Sequence, residues 1–476
     1  MEFNVEREKL LKPEQCGFRK AQGTTDILLR LEHRIRQAFE DRNVSLVVYL
    51  DLKSAFDKVW GKGLIYKLSK YGLQGNILKW LDNYFKDRKI QVRLDGHLSS
   101  KFDISAGTPQ GAVCSPLLFN LMLTDIPTYD DVEQYIYADD ITVICMGQDI
   151  KNLKLRMQRF LDDFVLWTET WGFEINPTKT VMQVFSRKRI EIPILRVKGH
   201  VIENRKEHKL LGITLDSPNL TWKAHIDYLR IDCIQRMKIM KVMASTKWGA
   251  TTKIMRLFYI AYIRAKLDYG SILYSSAAAT HLKKMETLQN SCMRMILGAR
   301  MSTPILSLQA EAHIQPLTLR RDYLTVREYI RLLFKPSDDH TIKTLGILNG
   351  YGRQLHEPFN SFIYKTKNII QILDIDKMKR TPTSSTLITP PWEAVNKYVV
   401  IPEDEHRIYT HGEFQAYKDD NYQQFQKIYT NGWKNINYYH FYRSLSDSRG
   451  SSTFNSFKGR ISYQKTFASP DQQIRK

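Results

Sequence analysis

Cysteine is scarce in this sequence, and the few cysteines that occur are scattered. Cys16, Cys114, Cys145, Cys233 and Cys292 contain no C-x-x-C pair. This spacing argues against a disulfide framework and against a zinc site. We therefore expect no disulfide-linked partner and an intracellular, reducing environment.

Long apolar segments are also missing. The N-terminal segment MEFNVEREKLLKPEQ is charged from its second residue onwards, so it lacks the apolar centre of a signal peptide. The uncharged stretch 107–124 contains glycine, proline, glutamine and asparagine, which argues against a membrane helix. The sequence predicts a soluble chain with no membrane contact, and we find no targeting signal in it.

Acidic residues are outnumbered by basic ones. The chain has 476 residues, with 50 Asp and Glu against 71 Lys and Arg, which gives a formal net charge of +21. Because 43 % of the residues are hydrophobic, the chain can bury a core, and this excludes a disordered polycation. The positive excess favours a polyanionic partner, nucleic acid above all, and the alternative is that it only maintains solubility.

Helix and strand patterns change in character near residue 220. Residues 221–300 are predicted to be mostly helical and carry fourteen Lys and Arg against four Asp and Glu. Before them, the apolar spacing and the turn residues predict a mixed series of elements. These are a helix from Thr24 capped by Thr24 or Thr25, a strand over 45–52, two helices separated by Gly72 and Gly75, a hairpin turning at Asp95-Gly96, a helix over 116–126, a hairpin over 133–146 and a long helix over 151–172.

Three aspartates stand where predicted strands end or turn. Asp51 follows the apolar run LVVYL, and ligands bind at the ends of buried strands in α/β sheets. Asp139 and Asp140 separate YIYA from ITVIC, so they lie at the tip of a predicted hairpin. Adjacent carboxylates raise each other's pKa unless a cation neutralises them. Each feature alone is typical of an ordinary strand end or turn, whereas together they suit a Mg²⁺ cluster.

The segment AGTPQGAVCSP lies between these aspartates. Gly107 and Gly111 permit backbone conformations that are closed to other residues, and they allow a ligand to approach closely. Pro109 stiffens the turn, and the amide of Gln110 offers both a donor and an acceptor. Taken alone, such a segment is typical of a surface loop.

Six segments in a fixed order resemble the motifs of reverse transcriptases. YLDLKSAFDKV, GTPQGAVCSPLLFN and YADD resemble the palm motifs, most of all those of non-LTR (LINE-like, jockey-type) retrotransposons. QCGFRKAQGTTDILLRL resembles the fingers motif of that group, WGFEINPTKTVMQVFSRK the motif after the catalytic hairpin, and HKLLGITLD the primer-grip region. The resemblance is dense over residues 14–216 and looser to about residue 335.

This resemblance implies an α+β fold of the right-hand polymerase type. Fingers and a palm, with an antiparallel sheet and helices, would be followed by a helical thumb and a poorly defined C-terminal region. The implied domains are partial fingers over 1–45, a palm with the remaining fingers elements (the reverse transcriptase domain) over 46–216, a basic helical thumb and thumb extension over 217–335, and a C-terminal region over 336–476.

The resemblance also implies roles for the matching positions. Asp51, Asp139 and Asp140 would ligate two catalytic Mg²⁺ ions, with Mn²⁺ as the alternative. Phe56 would act as a steric gate against a ribose 2′-hydroxyl, Gln110 and Gly111 would contact the incoming nucleotide, and Asp57 would be a structural or sugar-pocket group. Lys179 would protonate the pyrophosphate leaving group, and Arg19 would contact a phosphate. The residues that would contact an RNA–DNA duplex are Lys238, Lys241, Lys247, Lys253 and Arg256. The alternatives are a core aromatic for Phe56 and solvated surface residues for the lysines.

The function implied by the resemblance is that of an RNA-directed DNA polymerase. Such a nucleotidyltransferase extends a DNA primer on an RNA template and uses dNTPs as substrates, and retroelement proteins of this kind act in the nucleus and cytoplasm. The alternative is a catalytically inactive remnant that still binds nucleic acid.

Two departures from the family are visible. The chain starts close to CGFR, without the NYRPISLL-like segment and the endonuclease domain that precede it in the group, so we expect an N-terminally truncated copy. KIYTNGWKN resembles the first strand of a ribonuclease H domain, but Asn431 stands where that family has a metal-binding Asp. We expect a degenerate and truncated start of such a domain, without ribonuclease H activity.

Overall fold

A computed structural model describes residues 2–245, 248–347, 362–373, 425–429 and 439–443. The chain divides into two compact units, Met1–Ile388 and Thr389–Lys476. The predicted domain boundaries at residues 45, 216 and 335 all fall within the first unit, and they stay predictions.

Helices and strands alternate in the first half of the chain, and helices dominate after residue 220. The helices are α1 (Glu2–Arg7), α2 (Thr24–Glu40), α3 (Gly61–Lys70), α4 (Asn76–Phe85), α5 (Ser115–Met122), α6 (Ile150–Trp171), α7 (Lys223–Met243), α8 (Thr252–Phe258), α9 (Ala265–Asp268), α10 (Ser271–Tyr274), α11 (Ala279–Leu297), α12 (Ile305–Ala312), α13 (Leu317–Leu333), α14 (His340–Leu345) and α15 (Phe362–Leu373), with a 3-10 turn over Ala55–Lys58 and a π-helical segment over Tyr259–Arg264. The strands are β1 (Val44–Leu50), β2 (Lys89–Ile90), β3 (Arg93–Leu94), β4 (His97–Leu98), β5 (Phe102–Asp103), β6 (Glu133–Tyr137), β7 (Asp140–Gly147), β8 (Val181–Phe185), β9 (Arg196–Val197), β10 (His200–Val201), β11 (Glu203–Asn204), β12 (Glu207–Leu210), β13 (Ile213–Asp216), β14 (Phe425–Tyr429) and β15 (Tyr439–Arg443).

A five-stranded sheet forms the centre of the first unit, in the order β11-β8-β1-β7-β6. Strand β1 lies in the middle and pairs antiparallel with β7 and β8, and all of its residues are buried. Its run of β-branched and apolar residues suits a strand that is covered on both faces. The α+β class predicted from the sequence is confirmed.

Alternate side chains of β1 enter two different cores. Leu46, Val48 and Leu50 belong to a cluster that includes residues of α3, α5 and α6. Val47 and Tyr49 belong to a second cluster, which includes residues of α2 and of the helices after residue 220. Because successive side chains of a strand point to opposite faces, the sheet lies between two helical layers.

The elements predicted before residue 220 are present. The turn of the predicted exposed hairpin lies at Asp95-Gly96, where both residues have positive φ and Leu94 pairs with His97. Helix α2 begins at Thr24 as predicted, but the prediction that a threonine caps it is wrong. Gly23 is the N-cap, and its N–H donates to the Asp26 carboxylate (2.8 Å), so the helix receives its cap from an acidic residue in its first turn.

Ion pairs to a buried carboxylate hold the C-terminal end of α13 against α2. The fully buried Asp26 accepts hydrogen bonds from Lys335 (2.6 Å) and Arg331 (2.9 Å), which lie more than 300 residues away along the chain. A buried carboxylate is costly unless cations pair with it, so these two contacts fix the position of α13.

Among the described residues, no helix combines the length and apolar composition that a membrane span requires.

The second unit contributes one described element pair, the antiparallel strands β14 and β15. Asn431, the position compared with a ribonuclease H aspartate, lies outside the described residues.

Candidate active site

The three predicted metal ligands meet at one edge of the central sheet. Leu50 pairs with Ile141 at the end of the β1–β7 ladder, so Asp51 and Asp140 occupy adjacent positions just beyond that pair. Tyr137 pairs with Asp140 in the β6–β7 hairpin, which leaves Ala138 and Asp139 as its two-residue turn. The predicted hairpin and the proximity of the three aspartates are therefore both present.

The three carboxylates share one electrostatic environment. Burial raises the pKa of Asp140 first, and the negative charges of Asp139 and Asp51 raise it further. None of the three aspartates pairs with a cationic side chain of the described residues. Asp139 and Asp140 are exposed, so water screens part of the repulsion between these carboxylates, and a bound cation would relieve the rest when they are ionised.

These oxygen donors fit a hard divalent cation in their chemistry. No group of three His, Cys, Asp or Glu side chains in the described part of the chain is arranged as a preformed metal site. The proximity of the aspartates and the raised pKa of Asp140 agree with the predicted metal site, and the site itself stays a prediction, as do the identity and number of its ions.

The loop that carries Lys179 lies directly beside Asp51. The Asn176 N–H donates to the Asp51 carbonyl (2.8 Å), and the Asp51 N–H donates to Thr180 Oγ1 (3.4 Å). Leu52 and Ile175 form a further bridge between the two segments. Lys179 itself is exposed and has no ion pair among the described residues, and its role as an acid stays a prediction.

The Gly/Pro loop is hydrogen-bonded to the segment after Asp51. The Thr108 N–H donates to the Phe56 carbonyl (2.9 Å), and Gln110 Nε2 donates to Asp57 Oδ1 (3.0 Å). Gly107 has φ +85°, and a Cβ there would lie 2.8 Å from the Asp57 carbonyl oxygen. Gly111 has φ +89° and open space around its Cα. The loop is therefore held in place beside the segment after Asp51. Position 107 requires glycine, because its φ is positive and because a Cβ would lie too close to Asp57.

Phe56 lies between the core and the site. Its ring is half-buried, stacks on Phe119 of α5 with centroids 4.3 Å apart, and makes a T-shaped contact with Phe18 at a centroid distance of 6.1 Å. The packing agrees with a core aromatic, and the remaining exposure agrees with a surface that a substrate can touch. Both interpretations of Phe56 are compatible with this position.

Arg19 has its guanidinium engaged within the protein. It forms a two-pronged ion pair with Glu6, with Nε–Oε1 3.1 Å and Nη2–Oε2 2.9 Å. Its Nη1 donates to the carbonyls of Lys12 and Gln15. A phosphate would have to compete with Glu6 for this side chain, and the predicted phosphate contact stays a prediction.

The predicted duplex contacts are divided between exposed and engaged side chains. Lys238 and Lys241 lie exposed on α7, Lys253 lies exposed on α8, and none of the three has an ion-pair partner in the described residues. Arg256 is half-buried and donates to the Ala312 carbonyl (2.9 Å) and the His313 carbonyl (3.0 Å), so it binds the end of α12. Lys247 lies outside the described residues.

Two residues near the site were missed by sequence reasoning, although both lie in the quoted QCGFR segment. Gln15 is buried and hydrogen-bonded to Ala138, and Phe18 is 55 % exposed beside Phe56 with φ +56°. Positive φ is rare for a bulky residue, and such conformations cluster at functional sites. No pattern in the sequence signals either contact, since the partners are far away along the chain.

The chain is similar in sequence to a known protein family and to curated relatives. The family model described as "Reverse transcriptase (RNA-dependent DNA polymerase)" matches residues 2–215. The chain is 30 % identical over 305 residues to a probable RNA-directed DNA polymerase from transposon BS of Drosophila melanogaster, with 60 % of this chain and 33 % of the relative covered. It is also 30 % identical over 293 residues to the RNA-directed DNA polymerase from mobile element jockey of the same species, with 60 % and 32 % covered. The chain thus spans about a third of the length of these relatives.

Among solved structures, the chain is similar to apo telomerase from Candida tropicalis, with 12 % identity and a TM-score of 0.37, over 76 % of this chain and 60 % of that one. A telomerase of the same species with a fragment of telomeric RNA gives 11 % identity and a TM-score of 0.38, over 81 % and 54 %.

Proposed function

We propose that residues 2–215, which belong to the reverse transcriptase family, act as the RNA-directed DNA polymerase of a non-LTR retrotransposon of the jockey type. The observation that carries the proposal is the meeting of Asp51, Asp139 and Asp140 at one sheet edge inside the matched residues. The fold would then be that of a right-hand polymerase, with fingers over 1–45, palm over 46–216 and thumb over 217–335.

The aspartates would hold two Mg²⁺ ions, or Mn²⁺ in their place, at this edge. When bound, such ions lower the pKa of the primer 3′-hydroxyl and balance the charge of the triphosphate. The chain itself positions the reactants, because the ladder of β1, β7 and β6 fixes the spacing of the three carboxylates.

Other side chains around this edge would select and orient the nucleotide. The half-buried ring of Phe56 would exclude a ribose 2′-hydroxyl, which would select deoxynucleotides. Gln110, held by Asp57, would contact the incoming nucleotide, and the open space at Gly111 would let its sugar approach the backbone. Lys179 would donate a proton to the leaving pyrophosphate.

The basic helices would bind an RNA template paired with its DNA primer. Lys238, Lys241 and Lys253 are exposed and without ion-pair partners in the described residues, so they can contact phosphates without reading the sequence. Each such contact releases counterions, and binding should therefore weaken steeply with salt. From the resemblance to retroelements we expect this activity in the nucleus and cytoplasm.

Primer extension by the full chain tests the proposal. We expect Mg²⁺-dependent addition of dNTPs to a DNA primer on an RNA template, and a loss of about 100-fold or more in Asp139→Ala because metal binding supplies several kcal/mol to the transition state. The control is Asp130→Ala, which removes an exposed aspartate that precedes β6. Extension that persists in Asp139→Ala contradicts the proposed site. Salt-sensitive binding of an RNA–DNA hybrid without extension under Mg²⁺ or Mn²⁺ would instead support the inactive remnant.

A further inference from the structure

We propose that Gln15 is a positioning residue, which fixes the hairpin turn that carries Asp139 and Asp140. The contacts of Gln15 are independent of the function proposed above, and only their consequence for the reaction rests on it.

The Gln15 side-chain amide forms hydrogen bonds to both backbone polar groups of Ala138, the residue before the two aspartates. Its Oε1 accepts from the Ala138 N–H (3.2 Å) and from the Gly17 N–H (2.7 Å), and its Nε2 donates to the Ala138 carbonyl (3.4 Å). Gln15 is 2 % exposed, so these bonds are shielded from water. A buried side-chain amide that pairs with both polar groups of one residue fixes that peptide unit in position and orientation.

The turn needs such support because of its conformation. Ala138 has φ +55°, which is the left-handed region that residues with a Cβ rarely adopt. Asp139 and Asp140 follow it directly, and they repel each other and Asp51. A strained backbone next to repelling charges persists only where neighbouring contacts determine it.

The segment around Gln15 binds the same hairpin through its backbone. The Cys16 N–H donates to the Ile136 carbonyl (2.9 Å), and the Ile136 N–H donates to the Glu14 carbonyl (3.2 Å). Strand β6 is the last strand of the sheet, so this segment covers its free edge.

The close approach of this segment to the turn requires glycine at one position. A Cβ at Gly17 would collide with the Ala138 backbone nitrogen, and the Gly17 carbonyl accepts from Asn120 Nδ2 (2.8 Å). Helix α5, which carries Asn120, is thereby hydrogen-bonded to the segment around Gln15 and helps to hold that segment against the turn. Gln15 would thus act on the proposed metal ligands Asp139 and Asp140 indirectly, through its hydrogen bonds to Ala138, as residues behind metal ligands commonly do.

Hydrogen exchange at the Ala138 amide tests the contact directly. In the folded wild-type chain this amide should exchange slowly, although it lies in a turn, because Gln15 Oε1 accepts its hydrogen. Gln15→Met keeps the side-chain volume and removes the hydrogen bonds, so we expect exchange there to accelerate about tenfold or more while the amides of β1 stay protected. Rapid exchange in the wild type overturns the proposal even if the variant fails to fold, and unchanged exchange in Gln15→Met overturns it as well.

The matched control is Gln158→Met on α6. Gln158 binds Arg196 in the same two-way manner, with Nε2–O 2.9 Å and N–Oε1 2.9 Å, but it lies outside the aspartate edge. We expect this variant to leave exchange at Ala138 unchanged.

Extension kinetics test the consequence for the reaction. Gln15→Met should lower kcat about 10–100-fold and raise the Mg²⁺ concentration for half-maximal rate, with KM for dNTP nearly unchanged, as for other outer supports of metal ligands. A variant that only unfolds would lower the active fraction without changing the Mg²⁺ requirement. An unchanged kcat and Mg²⁺ requirement would overturn the positioning role. A wild-type chain that extends no primer contradicts the proposed function, and hydrogen exchange then still decides whether Gln15 holds the turn.

Discussion

The ring of Phe56 stacks on the ring of Phe119, with centroids 4.3 Å apart and an interplanar angle of 25°. Phe119 lies on α5 and is fully buried, so one face of the Phe56 ring packs on the hydrophobic core. Phe56 also makes a T-shaped contact with Phe18, whose ring is exposed. The position of the gate therefore depends on a helix that follows it by about sixty residues.

Shortening Phe56 should reduce discrimination against ribonucleotides. For Phe56→Ala we expect the preference for dNTP over rNTP to fall about 10–100-fold, since loss of the ring removes the clash with the 2′-hydroxyl. Phe119→Leu should reduce the preference less and cost about 1 kcal/mol of stability, because Phe56 loses part of its support. Competing single-nucleotide incorporation measures both. The exposed Phe102 on β5 provides the control Phe102→Ala, and equal discrimination in Phe56→Ala and wild type would refute the gate.

Neutralising Asp140 should stabilise the metal-free protein. In Asp140→Asn we expect a higher Tm without metal, because the negative charges of Asp139 and Asp51 no longer oppose a third one. Mg²⁺ at 100 times its Kd should stabilise the wild type by about 2.7 kcal/mol and the variant by much less. Thermal unfolding with EDTA and with Mg²⁺ measures both effects, and Asp130→Asn should behave like the wild type. A Tm that falls in metal-free Asp140→Asn would contradict the repulsion.

The two glycines of the loop should respond differently to alanine. Gly111→Ala should cost about 1–2 kcal/mol, for its positive φ alone, and should raise KM for dNTP if a ligand uses the open space there. Gly107→Ala should cost clearly more, because the new Cβ would also lie 2.8 Å from the Asp57 carbonyl oxygen. Denaturant unfolding compares the two stabilities, and steady-state kinetics compares KM. Equal costs at both positions would argue against the close approach of Asp57.

Acid should weaken the junction between β13 and α7. The buried His225 accepts the Thr214 N–H on Nδ1 (3.2 Å), and burial, followed by the charge of Lys209, lowers its pKa to about 4. The unfolded chain takes up this proton near pH 6.5 and the folded chain only near pH 4, so stability falls as pH drops through that window, by about 3 kcal/mol in total.

Unfolding free energies of wild type and His225→Gln, measured between pH 7 and pH 4, test this linkage. The variant should lose stability less steeply with acid, whereas His97→Gln, at an exposed position, should keep the wild-type slope. Parallel curves for wild type and His225→Gln would show that His225 does not carry the effect.

Much of the fold could be predicted because its signals are local. The apolar runs on both sides of Asp139 and the run before Asp51 predict strands with aspartates at their ends, whereas the pairing of β1 with β7, which brings the three carboxylates to one edge, is a long-range contact. Turn residues fixed the hairpin at Asp95-Gly96 in the same way. The predicted threonine cap is wrong, because Thr24 and Thr25 lie inside the helix and Gly23 takes the N-cap position, with its N–H bonded to Asp26.

Local patterns along the chain specify which residue types surround the candidate site and which strand ends carry them, since side-chain alternation and turn chemistry act over a few residues. Which of these side chains are engaged by other groups depends on the folded molecule. Arg19 is held by Glu6, Arg256 by the end of α12, and Gln15 by a residue 123 positions away. Such contacts depend on burial and on the packing of distant segments, and no local pattern encodes the distance between two side chains that the chain brings together only when it folds.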